Sequence, residues 1–324
     1  MSDIAATLLS APILFFFLGV VAAAARSDLA VPETVAKGLS LYLMAAIGLK
    51  GGVEVAKVGV TPDLAAAMLA GLVLSAAIPL WVAPVLRRVG RLDGINAGAV
   101  AAHYGSVSVV TFVTASQVYG ANGFAIAGFM VAVLALMETP AIVTGLLLAN
   151  RHAGGGGPRT GFDAELLREV LFNGSVVLLV GSFLIGLAIG PTGFTPIAPL
   201  FQSGFTGLLC LFLLDMGLIA MRRLRDTRAL NARLVTLGLF FPVVNGTIGA
   251  AAGTLIGLDP ASAAGLAVLC ASASYIAVPA AMRMALPQAN AGLYLAMSLG
   301  VTFPFNIIVG IPLFRALAEW LGAM

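Results

Sequence analysis

Residues 102 to 111, Ala-His-Tyr-Gly-Ser-Val-Ser-Val-Val-Thr, place a His, a Tyr, a Gly and three aliphatic hydroxyls midway along an apolar segment. Such residues are tolerated at membrane depth only where they face other protein or a water-filled cavity, so the cluster marks a candidate functional site. A second cluster, residues 270 to 279, Cys-Ala-Ser-Ala-Ser-Tyr-Ile-Ala-Val-Pro, sits inside another long apolar segment. It ends in a Pro, which removes a backbone donor and kinks or breaks a helix. A broken helix exposes free N–H groups at the start of its second half, and with the helix dipole these form an anion site. The free end of the first half offers carbonyls suited to a cation. Ser106, Ser108 and Thr111 on one side, with Ser272 and Ser274 on the other, add hydroxyl donors for a small oxyanion, and Gly105, Ala273 and Tyr275 complete the candidate substrate-binding set. Neither cluster contains an Arg or Lys. An anion bound by neutral donors needs its charge balanced, and a cation bound beside it does that.

The elements that position these clusters follow from composition. The chain has 324 residues, of which 60% are hydrophobic and 10% charged, against about 25% charged in a soluble domain. That is the composition of an integral membrane protein. Cys210 and Cys270 both lie in apolar segments and read as buried small hydrophobes, neither a disulfide framework nor a metal site. No nucleophile–base set or metal-ligand spacing is visible, so an enzyme is not expected and no cofactor is implied beyond a coupling ion. The first helix should stay in the mature chain, because Asp3 stands where a signal peptide carries basic residues.

Uninterrupted apolar runs of about 20 residues predict membrane helices rather than the alternating segments of a β-barrel. Ten spans are expected, over residues 8–25, 32–57, 62–86, 93–119, 122–150, 165–189, 197–221, 230–256, 261–286 and 290–318. Val31-Pro32, Thr61-Pro62, Gly190-Pro191 and Asp259-Pro260 punctuate them. Residues 151–164, with the run Gly154 to Gly157, read as a flexible linker between a first half, 1–150, and a second, 165–324. Arg26, Arg87, Arg88, Arg91, Arg151, Arg159, Arg222, Arg223, Arg225, Arg228 and Arg233 all fall at alternate connections, while the opposite ones carry little beyond Lys57. Cytoplasmic connections accumulate such charge, which places both termini outside and the linker in the cytoplasm. Orientation accounts for the basic excess, so no nucleic-acid partner is implied. The run 222–228 could also touch anionic lipid headgroups.

Five helices per half is an odd number, so the second half enters the membrane inverted relative to the first. Gly98 to Ser108 lines up with Gly265 to Tyr275, setting the fourth span against the ninth. Ala46-Ile-Gly-Leu-Lys-Gly lines up loosely with Asp215-Met-Gly-Leu-Ile-Ala, and Glu138-Thr-Pro140 with Thr302-Phe-Pro304, Asn306 and Gly310. Inverted repeats with interrupted helices in corresponding positions point to a secondary transporter, with its site near the midplane where the interruptions meet. The fold class expected is an all-α membrane protein of two inverted five-helix repeats.

The segment Met137-Glu-Thr-Pro-Ala-Ile-Val-Thr-Gly-Leu-Leu-Leu-Ala-Asn150, the early Ile47-Gly-Leu-Lys-Gly-Gly52, and the Ser106-Val-Ser108 and Ser272-Ala-Ser274 clusters resemble the sodium-dependent bicarbonate transporter family. The resemblance covers nearly the whole chain. It implies a core domain moving against a gate domain, uptake of bicarbonate coupled to sodium across the inner membrane, a substrate held between the breaks of the fourth and ninth spans, and a homotrimer. Two departures stand out. Family members from carbon-concentrating photosynthetic bacteria carry an acid where this chain has Tyr275, and a longer cytoplasmic segment between the halves, which bears on binding of a PII-like regulatory protein. Another small carboxylate or oxyanion is the alternative substrate that Tyr275 keeps open.

With sodium implied, Glu138 becomes the leading ligand, since a carboxylate mid-span costs about 2.5 to 3.5 kcal/mol on insertion scales. Thr139, Thr302 and Asn306 complete the candidate sodium-binding set. His103 reads as a hydrogen-bonded interior residue rather than a proton carrier, with no carboxylate near it in sequence. Asp215 lies closer to the cytoplasmic end of its span, and Lys50 reads as a snorkelling residue near the outer end of the second.

Overall fold

The computed structural model describes residues 9–59, 61–151, 172, 174–226 and 230–324, and among these all regular structure is helical. The linker 151–164 lies, beyond Arg151, outside the described residues. Helices α1 (Ala11–Ala24), α2 (Glu33–Val58) and α3 (Pro62–Arg88) open the chain. The fourth expected span is two helices, α4 (Gly94–Gly105) and α5 (Val109–Ala121), and the fifth is α6 (Met130–Met137) and α7 (Pro140–Asn150). Then come α8 (Gly174–Phe194), α9 (Phe205–Asp226), α10 (Ala232–Leu255), α11 (Pro260–Ala271) and α12 (Ala277–Ala285). The last, α13, runs Ala291–Gly322 through π-helical turns at Ala296–Thr302 and Asn306–Gly310.

Eight spans among the described residues are long and apolar enough to cross a membrane, taking α4–α5 and α6–α7 across their breaks; Ala11–Ala24 and Pro260–Ala271 are shorter apolar helices. Their starts follow capping chemistry, in which a side-chain oxygen takes an otherwise orphaned N–H. Thr61 accepts from Leu64 N at 3.3 Å, Asp93 from Asn96 N at 2.9 Å, Asn231 from Leu234 N at 3.0 Å and Asp259 from Ser262 N at 3.0 Å.

Three expected boundaries move. The fifth span begins at Met130 and not at 122, because Asn122 and Gly123 (φ 72°) end α5 in a turn, and Phe124 then packs edge-on against Tyr119 at 5.6 Å. Apolar character there serves packing rather than spanning. The sixth runs on to Phe194 through a kink at Gly190 (φ 57°), where the left-handed conformation suits only glycine and Pro191 follows. The seventh starts at Phe205 and not at 197, since Pro196 and Pro199 each lack a donor and leave a 3-10 turn, Thr195–Ile197, and a π turn, Pro199–Ser203.

Two groups of helices emerge from the packing. α2 lies along α8, α1 along α9, and α9 against α2; α3 through α7 pack with α10 through α13. The α2–α8 crossing is backbone on backbone. A Cβ added at Gly48 would stand 2.6 Å from the Leu179 carbonyl oxygen, and one at Gly52 would stand 2.6 Å from Leu187 N. Small residues at such crossings let membrane helices approach closely enough for van der Waals packing to hold them.

Candidate functional site

Both Asp-capped helices, α4 and α11, are twelve residues long and stop at a Ser whose backbone turns extended: Ser106 (φ −83°, ψ 178°) and Ser272 (φ −78°, ψ 161°). The chain resumes helix at Val109 and at Ala277. Ser106 therefore corresponds to Ser272 and Ser108 to Ser274, one residue away from the register that matching Gly98 with Gly265 suggests. The caps Asp93 and Asp259 set that register, which apolar similarity alone blurs.

The two breaks are bonded to each other. Ser274 N donates to the His103 carbonyl at 2.8 Å, and Ser108 N donates to Ser272 Oγ at 2.8 Å. Ser108 Oγ caps α5, accepting from Thr111 N at 3.2 Å and from Thr111 Oγ1 at 2.9 Å. Ser274 Oγ accepts from Val278 N at 3.4 Å in the opening turn of α12. Ser272 Oγ donates to the Leu269 carbonyl at 2.8 Å, and Ser106 Oγ donates to the Glu138 carbonyl at 3.1 Å. All four serines are buried.

A small cavity lies between the breaks, lined by Met44, Val107, Ser108, Val109, Glu138, Ser274, Tyr275, Ile276 and Ala277. Its volume is about 10 Å³, on the order of one water molecule's worth of room. The breaks are thus closed upon one another. The starts of α5 and α12 both meet this space, and the first N–H groups of a helix favour negative charge. Glu138 meets it too, at the junction of α6 and α7, 3% exposed and with Oε2 lacking any hydrogen-bond partner. The Tyr275 hydroxyl faces Ser108 without closing a hydrogen bond to it.

Ser108, Ser274, Tyr275 and Glu138 are therefore brought together. Gly105, Ser106, Thr111, Ser272 and Ala273 support the breaks from behind, outside the cavity lining. Thr139 precedes α7 and does not line the cavity either. Thr302 lies outside the cavity lining, donating to the Gly238 carbonyl at 2.7 Å and hydrogen-bonded to the Tyr104 hydroxyl at 2.6 Å. Asn306 Nδ2 donates to the Ala271 carbonyl at 2.8 Å, closing the end of α11, while its Oδ1 has no partner. His103 is fully buried, its Nδ1 2.7 Å from the Ala99 carbonyl and its ring stacked on Tyr294 at 4.4 Å. Asp215 is buried on α9, away from this cavity. Among the described residues no cluster of three or more His, Cys, Asp or Glu gathers in the manner of a zinc site.

Sequence reasoning passed over Asn245, fully buried on α10 with both side-chain polar atoms unpartnered, because a single Asn in an apolar run carries no pattern. It also passed over Met44 and the role of the His103 carbonyl, which no residue type can announce.

Residues 11–319 match a family model described as the Na+-dependent bicarbonate transporter superfamily. No curated protein matches the chain.

Proposed function

Because the chain belongs to the Na+-dependent bicarbonate transporter superfamily, we propose that it is a secondary active transporter carrying bicarbonate inward together with sodium, and that the two breaks, closed here around a space of about 10 Å³, part to hold both ions between them. The observation that carries this reading is that two helix starts and a buried carboxylate line one small space. Helix starts favour an anion, yet an anion beside ionised Glu138 would be repelled strongly in a dry interior, since Coulomb energies rise as the dielectric falls. A sodium ion between them is attracted to both and offsets their mutual repulsion. Each ion then makes the other's binding favourable, which is what coupling requires.

In this reading the halves 1–150 and 165–324 are inverted repeats, α1, α2, α8 and α9 form the gate, and the remaining helices form the core that moves against it. The matched Asp-capped, Ser-ended helices support the repeat. Both termini face outward from the cell's inner membrane. Support comes from two connections: Arg225 Nη1 donates to the Ala23 carbonyl at 3.0 Å and Arg222 Nη2 to the Leu29 carbonyl at 2.8 Å, so basic connections far apart in sequence lie together on one side of the molecule. A Cys placed at Gly155 should accordingly resist an impermeant thiol reagent applied to intact cells. Labelling there would reverse the orientation.

Counterflow in proteoliposomes tests the function itself. Labelled bicarbonate should exchange only when sodium is present, and a panel of small carboxylates should compete weakly. Exchange without sodium, or none with bicarbonate, overturns the proposal. The Tyr275 hydroxyl, unpartnered at the cavity wall, favours a second reading in which a somewhat larger carboxylate is the preferred cargo, and the same panel separates the two.

A graded result is expected from the serines. A hydrogen bond to a charged group contributes about 1.5 to 3 kcal/mol, so Ser108→Ala and Ser274→Ala should each weaken bicarbonate affinity roughly 10- to 100-fold. Ser106→Ala, whose hydroxyl is directed at the Glu138 carbonyl, should weaken it less. Equal affinities in all three variants and the parent would put the anion elsewhere.

A further inference from the structure

A second and larger cavity, of about 490 Å³, lies against α2, α5, the start of α6 and Phe205 of α9. It opens to the outside of the molecule beside Gly120, Ala121 and Ala125, all exposed. Its wall continues that of the small cavity. On α5, Ser108, Phe112 and Ser116 recur every fourth residue and so share a face; on α2, Met44, Ile47 and Gly51 recur at three and four. Met44 and Ser108 line the small cavity, whereas Ile47, Gly51, Phe112 and Ser116 line the large one. The two spaces thus lie along the same faces of α2 and α5, and Phe112, 1% exposed and one turn beyond Ser108, lines the large one.

One charge in the large cavity is uncompensated. Lys50 is half-buried there, its Nζ over the Phe205 ring at 4.8 Å from the centroid. Glu54, one turn on, also lines the cavity but pairs with Lys57 at 3.1 Å. No carboxylate pairs with Lys50 among the described residues. A residue read from sequence as snorkelling to the membrane surface thus turns into a polar space on the way to the breaks. Beside it, Ser116 and Gln117 line the same space, and Gln117 donates from Nε2 to Thr206 Oγ1 at 2.7 Å.

We propose that Lys50 forms an outer anion subsite, which captures the incoming bicarbonate in this vestibule before it passes Phe112 to the helix breaks. The proposal rests on the transport reading above. With Glu54 held by Lys57, Lys50 is the unpaired charge in this cleft, and a fixed charge in a cleft raises the local concentration of an oppositely charged substrate about tenfold or more, so the effect belongs in KM for the anion and not in the coupling step.

The test is initial-rate uptake by the full chain in proteoliposomes, with wild type measured first. Lys50→Gln should raise KM for bicarbonate about tenfold, with the rate at saturating bicarbonate and KM for sodium within twofold of wild type, and Lys50→Arg should restore KM. Lys50→Cys should recover when an aminoethyl methanethiosulfonate reagent returns a positive charge, and worsen with the sulfonatoethyl reagent; Cys210 and Cys270 are buried, and treated wild type is the control. In wild type, raising ionic strength with choline gluconate at fixed sodium should raise KM for bicarbonate, a reading that does not depend on any variant folding. KM within twofold of wild type in Lys50→Gln, equal effects of the two reagents, or a KM indifferent to ionic strength overturns the subsite while leaving bicarbonate transport intact. A wild-type protein that takes up no bicarbonate sinks the transport reading and this inference with it.

Discussion

Glu138→Gln is expected to abolish sodium-driven uptake at ordinary sodium concentrations. Removing one partner of a buried charge pair costs about 2 to 5 kcal/mol, so the half-saturating sodium concentration should rise roughly 30-fold or more. The substitution is close to isosteric, and the carbonyl that accepts from Ser106 Oγ is main chain and survives it. Oε2 makes no hydrogen bond that would be lost. Thermal stability in detergent should therefore stay near the parent value, and sodium-independent binding of bicarbonate should, if anything, strengthen as a repelling charge disappears. Uptake that keeps its wild-type sodium dependence would reduce Glu138 to a packing residue and leave the cation site to be found elsewhere.

The second large effect concerns the crossing of α2 and α8. Gly52→Ala adds one methyl, and on helix propensity alone it should stabilise by about 1 kcal/mol. Its Cβ, however, would overlap the Phe183 carbonyl oxygen and stand 2.6 Å from Leu187 N, and backbone atoms of a neighbouring helix cannot rotate aside. Overpacking of this kind costs about 1 to 3 kcal/mol and sometimes more, so the sign should be destabilising, with a lower thermal midpoint and less protein recovered as a single species in detergent. Gly38→Ala, on the same helix with nothing within 4 Å, is the matched control and should be neutral or slightly stabilising. Equal behaviour of the two variants would mean that α2 and α8 are not held at this contact.

Polarity made the breaks legible in advance. His103, Ser106, Ser108, Ser272 and Ser274 stand out in apolar runs because hydrocarbon penalises them, and both interruptions lie within the segments that carry them. Register was less legible. A repeat aligned on small apolar residues slips by one because Gly, Ala and Val substitute freely for each other, whereas the caps Asp93 and Asp259 cannot slip without orphaning N–H groups. The sodium set shows a different limit. Glu138 announces itself by charge, but Thr302 and Asn306 are residues whose hydrogen-bond partners, Gly238 and Ala271, are backbone carbonyls. No sequence pattern reveals which carbonyl a hydroxyl will find. The same blindness hid Lys50, where α9 supplies the aromatic face beneath its ammonium from 155 positions downstream.

In the orientation proposed above, the large cavity also decides where voltage acts. Solvent reaching into 490 Å³ beside α5 carries the outer potential inward with it, so the field of an energised membrane does not fall evenly along the molecule. It concentrates across the tight stretch from Phe112 through the breaks. Each elementary charge crossing the full potential does work of about 2.3 kcal/mol per 100 mV, and on the proposed path that work falls on the passage beyond the cavity. Ions arriving in the vestibule feel little of it. The net charge of whatever crosses together, rather than the charge of either ion alone, sets how far the resting potential can drive accumulation.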